Sequence, residues 1–223
     1  MQSHFEKEIS DLKDRLLTMA SHAETAVRRA VEALMTRDLE IASQVRENED
    51  IIDRLEVEID DVAVHLLSKA PLASDLRLIL VAMKISQNLE RVGDEASKIA
   101  KRSRELIQDA PLKQVIQIPR LADMALAMLK ASLDAFVNHD PAAARALIPR
   151  DKEVDALNKD IYRELASQMV EDPGTIARGL NLIVVAKSLE RVADHAKNVA
   201  EEVVYLFEAQ DIRHTAAMKA SQE

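Results

Sequence analysis

Cysteine and tryptophan are absent from this chain of 223 residues, which holds only three glycines, six prolines and 2% aromatic residues. Without cysteine there are no disulfides and no thiolate metal sites. Three glycines cannot build a glycine-rich phosphate loop, and neither a nucleophile elbow nor a Ser-His-Asp constellation is present, so an enzyme is not expected. The shortage of aromatics removes base-stacking platforms, and the formal charge of −9 opposes binding to a phosphate backbone, which excludes nucleic acid as a partner. The longest apolar run, Leu78 to Met83, falls far short of a membrane span, so no direct membrane insertion is expected. Met1-Gln2-Ser3-His4 leads into a charged amphipathic pattern unlike a signal peptide. A cytoplasmic protein is the plain expectation.

What is there is the composition of long helices, dominated by Ala, Leu, Glu, Lys and Arg. The organising stretch is Leu89-Glu90-Arg91-Val92-Gly93-Asp94-Glu95-Ala96. It returns one hundred residues later as Leu189-Glu190-Arg191-Val192-Ala193-Asp194-His195-Ala196. Seven of the twelve positions 89–100 and 189–200 are identical, where unrelated sequences would give fewer than about one, so the chain is an internal duplication. Apolar residues recurring every three or four positions predict a first helix from about His4 to Met35. Asp38 reads as the N-cap of a second helix that runs to Ala70, where Pro71 ends it. A third starts near Ser74-Asp75 and ends by Ala110. Residues 111–119, bracketed by Pro111 and Pro119, read as a linker. A fourth helix covers Pro119 to Asn138, a fifth runs from Asp140-Pro141 to Val170 with a kink at Pro149, and a sixth from Asp172-Pro173 to about Ala209. The expectation is an all-α fold of two tandem three-helix bundles, residues 1–110 and 119–209, with a polar tail over 210–223.

Each repeated stretch carries a Glu and an Asp four apart, which places two carboxylates on one helix face. Aligning the fifth helix on the second puts Asp151 and Asp155 over Glu49 and Asp53, so a second acidic pair is duplicated too. In an antiparallel hairpin, residues at one height have position numbers of constant sum. Asp53 with Glu90 and Glu49 with Asp94 share one sum, which puts the turn between Pro71 and Leu72. Asp155 with Glu190 and Asp151 with Asp194 share another, which puts it at Asp172-Pro173. Four acids therefore lie at one level in each half, about 27 Å from the hairpin tip. Their angular positions lie off the apolar faces, on the bundle surface. Such groups repel unless protonated, paired with basic side chains or neutralised by a cation. All-oxygen ligands suit hard divalent or trivalent ions, so Fe, Mn, Mg or Ca fit better than copper. Arg91 and Arg191 point away from the acids and serve as counter-charges only in part. His195 follows Asp194 as a possible further ligand or a plain surface histidine; His22 and His65 read as structural. Continuing the stripes adds Glu56, Asp60 and Lys101 in the first half, and Lys187, Lys197 and Glu201 in the second. Six acids face one lysine in the first cluster and five face two in the second, so the first is expected to bind metal more strongly.

The repeated Leu-Glu-Arg-Val-x-Asp-x-Ala, the upstream Glu49-x-x-x-Asp53 and Asp151-x-x-x-Asp155, Ala73-Ser74-Asp75-Leu76-Arg77 and Asp194-His195-Ala196-Lys197-Asn198 together resemble the PhoU-type phosphate-signalling accessory proteins, over residues 4–209. One departure from the pattern is Pro149, just before Asp151. The resemblance implies metal clusters held by Glu49, Asp53, Glu90 and Asp94, and by Asp151, Asp155, Glu190 and Asp194. It also implies a negative regulator that links the phosphate ABC transporter, through its ATPase subunit, to a sensor histidine kinase at the inner face of the membrane. Long amphipathic bundles leave apolar flanks, so a homodimer is expected. Two other functions compete. A carboxylate-bridged di-metal oxidase needs Glu-x-x-His in the bundle core, and no such spacing occurs. A metal-free structural bundle is the plainer alternative.

Overall fold

A computed structural model describes residues 4–69, 72–110 and 117–213. Among them are seven α-helices and no strand: α1 His4–Thr36, α2 Leu39–Leu67, α3 Ala73–Gln108, α4 Gln117–Val137, α5 Pro141–Leu147, α6 Asp151–Glu171 and α7 Ile176–Glu208. Asp38 caps α2, its carboxylate accepting from the backbone N–H groups of Glu40 and Ile41. Asp140 caps α5 through the N–H of Ala143, with Pro141 at the first helical position where its missing N–H costs nothing. The turn expected at Ala70-Pro71 and most of the linker expected over 111–119 lie outside the described residues, as do residues 1–3 and 214–223 of the tail.

Three boundaries differ from expectation. The fifth predicted helix is not one kinked rod. It divides into α5 and α6 at a 3₁₀ turn, Ile148–Arg150, because Pro149 supplies no N–H and crowds the preceding turn. The sixth starts at Ile176, since Asp172 caps a separate 3₁₀ turn, Pro173–Thr175, through the N–H of Gly174. α4 begins two residues before Pro119.

α1, α2 and α3 pack against one another as one three-helix bundle; α4, α6 and α7, with the short α5 alongside, make the other. The halves are not separate bodies. α3 and α7 pack together, α1 touches α4, and one continuous apolar core runs through Leu12, Ile52, Ile85 and Leu89 to Leu129, Val185 and Val203. The contacts Lys84–Glu202, Asn88–Asn198 and Glu95–Arg191 join residues whose numbers share a sum of 286, which makes α3 and α7 antiparallel. Combined with the repeat offset of one hundred, that register puts a pseudo-two-fold axis at the level of position 93 of α3 and 193 of α7, perpendicular to the plane of the pair.

The repeats differ where they cross this axis. Gly93 lies so close to α2 that an added Cβ would stand 3.0 Å from Ile52 Cδ1. The second half has Ala193 at the equivalent place and Val154 opposite, one methyl gained on one helix and one methylene lost on the other.

Candidate functional site

In the first half the two expected stripes face each other across the α2–α3 seam. Asp53 is exposed, while Glu49, Glu90 and Asp94 are half-buried. None of these four carboxylates joins an ion pair among the described residues. Burial raises the Asp53 carboxyl above its usual range, and the nearby Asp94 charge raises it further. Glu90 is raised by burial and then by Asp94, Glu56 and Asp53, with Arg91 opposing only in part. Glu56 is raised by burial, Asp60 and Asp53. Asp60 Oδ1 and Ser97 Oγ are enclosed beside this stripe with no hydrogen-bond partner. Like charge and partial burial thus act together, and no side chain neutralises them.

The second half is built differently. Asp151 and Glu190 are only 8% and 7% exposed, so the expectation that all eight acids sit on the surface fails for these two. The break at Pro149 makes Asp151 the first residue of α6, and a lysine accompanies each buried acid. Lys197 Nζ donates to Asp151 Oδ2 at 2.6 Å and to Asp194 Oδ1 at 3.1 Å. Lys187 Nζ donates to Glu190 Oε1 at 2.7 Å. Burial alone would lower the Lys197 ammonium, but the hydrogen bonds it donates to the two aspartates outweigh it and the group is pushed up to about 12. Glu190 stays raised: burial dominates, Lys187 opposes it, and Asp194 and Asp155 add to it. The two lysines occupy the place of a cation here.

Between the halves, at the pseudo-axis, Arg91, Asp94, Arg191, Asp194 and His195 line one open polar cleft. Glu95, 4% exposed, accepts from Lys98 at 2.9 Å and from Arg191 across the interface at 3.3 Å. Burial tends to raise its carboxyl, and hydrogen bonds from Lys98, Ser188 and Arg191 bring it below the usual range. His195 is not a free surface histidine. Its Nδ1 lies 3.1 Å from Asn88 Oδ1 of the other half, and burial, then Arg91, drives it toward neutrality. His22 contacts Asn48 Oδ1 at 3.2 Å, and His65 lies 3.4 Å from Glu8 on α1, a partner that spacing within its own helix does not reveal. Sequence reading missed Glu95, Asn88 and Glu202, the polar residues that lock the two halves. The available signal was position 95/195, where the repeat changes from Glu to His.

The donor chemistry of the first half, all carboxylate oxygen with no ion-paired partner among the described residues although Arg46, Lys101 and Arg104 line the pocket beside Glu49 and Asp53, fits a hard cation. Among the described residues, no three His, Asp or Glu side chains converge closely enough to hold one ion. Mutual repulsion keeps such carboxylates apart, and a cation would draw them inward. Among the described residues of these clusters, no nucleophile is aligned with a base or an oxyanion hole. Fold and site together define a duplicated helical bundle with carboxylate seams repeated about an internal two-fold axis. The comparisons with known proteins agree: the PhoU domain matches twice, over residues 16–103 and 118–203, and the chain belongs to the PhoU family.

A Pseudomonas aeruginosa relative named "Phosphate-specific transport system accessory protein PhoU homolog" is 39% identical over 225 residues, spanning 100% of this chain and 93% of that one. The Escherichia coli (strain K12) relative, "Phosphate-specific transport system accessory protein PhoU", is 32% identical and covers 96% and 89%. The crystal structure of PhoU from Pseudomonas aeruginosa superposes with a TM-score of 0.90 at 40% identity, over 93% of this chain and 100% of that one. A phosphate transport system regulatory protein PhoU from Streptococcus pneumoniae gives a TM-score of 0.84 at 26% identity, over 94% and 99%. No helix among the described residues is long and apolar enough to cross a membrane.

Proposed function

We propose that this protein is a cytoplasmic regulator of phosphate uptake, not an enzyme, that represses the phosphate-starvation response. It does so by linking the ATPase subunit of a phosphate ABC transporter to a sensor histidine kinase. Family membership and the names of the relatives support the link to phosphate transport. The regulatory direction and the two partners come from the family resemblance. Metal binding is the part the site itself supports. Glu49, Asp53, Glu90 and Asp94 would hold a divalent or trivalent ion of the Fe, Mn, Mg or Ca kind, and Asp151, Asp155, Glu190 and Asp194 a second. The observation that carries this is the first cluster's lack of any paired cation, with Asp53, Glu56 and Glu90 all raised. When bound, the ion supplies charge neutralisation that fixes α2 against α3. The residues themselves set the seam between those helices.

Deleting the gene tests the regulatory reading: phosphate-starvation genes should stay on in high phosphate. Normal repression in the deletion strain would refute it. Elemental analysis of protein purified without chelator tests the metal reading, with stoichiometric Fe, Mn, Mg or Ca expected. Metal-free protein of full activity in the repression assay would favour the structural bundle. A homodimer belongs to the same proposal and is checked by light scattering.

A further inference from the structure

The polar contacts at the pseudo-axis come in related pairs, and one pair is broken. Rotation about the axis exchanges each α3 residue with the α7 residue one hundred positions later, so every contact between the two helices has a counterpart. On one side Glu95 accepts from Arg191 at 3.3 Å, from Lys98 at 2.9 Å and from Ser188. The counterpart side has His195 for Glu95, Arg91 for Arg191, Asn198 for Lys98 and Asn88 for Ser188. The correspondence holds in space as well: His195 Nδ1 lies 3.1 Å from Asn88 Oδ1, just as Glu95 meets Ser188. A histidine, however, brings no carboxylate. Arg91 is exposed and makes no hydrogen bond or ion pair among the described residues, although it borders the same cleft of about 550 Å³ as Arg191. With the axis at the level of positions 93 and 193, the two arginines start about 3 Å of helix rise to either side of it. A ligand on the axis therefore meets one guanidinium from each half.

We infer that this cleft binds one small tetrahedral oxyanion between Arg91 and Arg191, in place of the carboxylate that the second repeat lacks. A guanidinium offers a planar fork that takes two oxygens, and Arg191 spends only one of its five N–H groups on Glu95. Two forks across an axis call for more oxygens than the two of a carboxylate, which favours a tetrahedral ion. Three acids also border the cleft. Glu95 is matched by Lys98 and Arg191, and Asp194 by Lys197 at 3.1 Å, so Asp94 is the one uncompensated charge that opposes an anion. Charge-assisted contacts at so open a site set Kd at about 1 mM. The inference needs neither the regulatory partners nor the metal proposed above. Its test is calorimetric titration of the full chain, stripped of metal and dialysed into dilute chloride buffer, with sodium phosphate, sodium sulfate and sodium acetate in turn. One phosphate or sulfate per chain should bind, and acetate at least about tenfold more weakly. Arg91→Lys keeps the charge without the fork and should weaken binding about fivefold; Arg91→Ala should abolish it. His195→Glu gives Arg91 the carboxylate that Glu95 gives Arg191, and should abolish binding as well. Asp94→Asn should tighten it about threefold. Circular dichroism checks folding, and the Arg91 variants, altered at an exposed side chain, decide the matter even where His195→Glu unfolds. Wild type that binds neither phosphate nor sulfate overturns the inference. Unchanged affinity in Arg91→Ala or in folded His195→Glu puts the ion elsewhere and overturns it too, as does acetate binding as tightly as the oxyanions.

Discussion

Replacing Lys197 with Met should unmask the second carboxylate cluster. The ammonium of Lys197 bonds both Asp151 and Asp194 and its side chain is 25% exposed. Asp151 is nearly enclosed, and its Oδ1 already lacks a hydrogen-bond partner. Removing one partner of a fully buried ion pair costs about 3–5 kcal/mol, because the remaining charge is stranded. Asp194 keeps access to water and Lys197 is not fully enclosed, so about 2 kcal/mol is the expected loss in metal-free protein. For a chain of this size that lowers Tm by about 4–8 °C. The substitution also removes a competitor for cations. Adding the native metal should therefore raise Tm more in Lys197→Met than in wild type, and the second-site affinity should rise about tenfold, worth about 1.4 kcal/mol. Thermal unfolding followed by circular dichroism, with chelator and with titrated metal, gives both quantities. A loss below about 0.5 kcal/mol in chelator would show that the aspartates do not depend on this lysine. Equal metal stabilisation of both proteins would show that the lysine does not stand in for a cation.

Three other outcomes follow from the same contacts. Asp53→Asn with Asp94→Asn should remove more bound metal than Asp155→Asn with Asp194→Asn, read by elemental analysis; equal losses would mean that ligand geometry outweighs the lysine counter-charges. Glu90 is raised in the fold, so the native state holds its proton more tightly than the unfolded chain, and its ionisation lowers stability as pH rises through the region above the usual carboxylate range. Glu90→Gln should therefore stabilise metal-free protein by about 0.5 kcal/mol at pH 7, the scale of an exposed like-charge contact, with the gain shrinking toward pH 5 in urea titrations. A gain that grows on acidification would contradict the sign. Gly93→Ala combined with Ile52→Val reproduces the pairing of the second half, and a double-mutant cycle should show favourable coupling of about 0.5–1.5 kcal/mol; additive effects would refute the close contact.

The helices, their caps and the level of the carboxylates were legible in the chain because each is a local or periodic property. Asp38 and Asp140 needed only their neighbours to be read as caps, and the constant-sum rule needed only the acidic pairs to place the second turn at Asp172-Pro173. What failed to show was how the halves meet. Lys84, Asn88 and Glu95 lie on the solvated side of an isolated bundle. Only the packing of α7 on α3 turns them into interior hydrogen bonds. The burial of Asp151 escaped for a related reason: a proline kink was expected to tilt one long helix, whereas the 3₁₀ turn restarts the helix with Asp151 as its first residue.

That divergence between repeats carries a functional consequence. On the proposed metal reading, a lysine paired with a carboxylate lowers that seam's need for a cation. Lys187 and Lys197 give the second seam an internal counter-charge that persists without metal. The first seam, with Gln87 and Ser97 at the equivalent positions, keeps its carboxylates unpaired. On the proposed metal reading, a bound cation would therefore act more strongly on the first seam than on the second. Since Arg91 and Asp94 border the same cleft as Arg191 and Asp194, a cation bound in the first seam, as proposed above, would change the field at the axis between the halves.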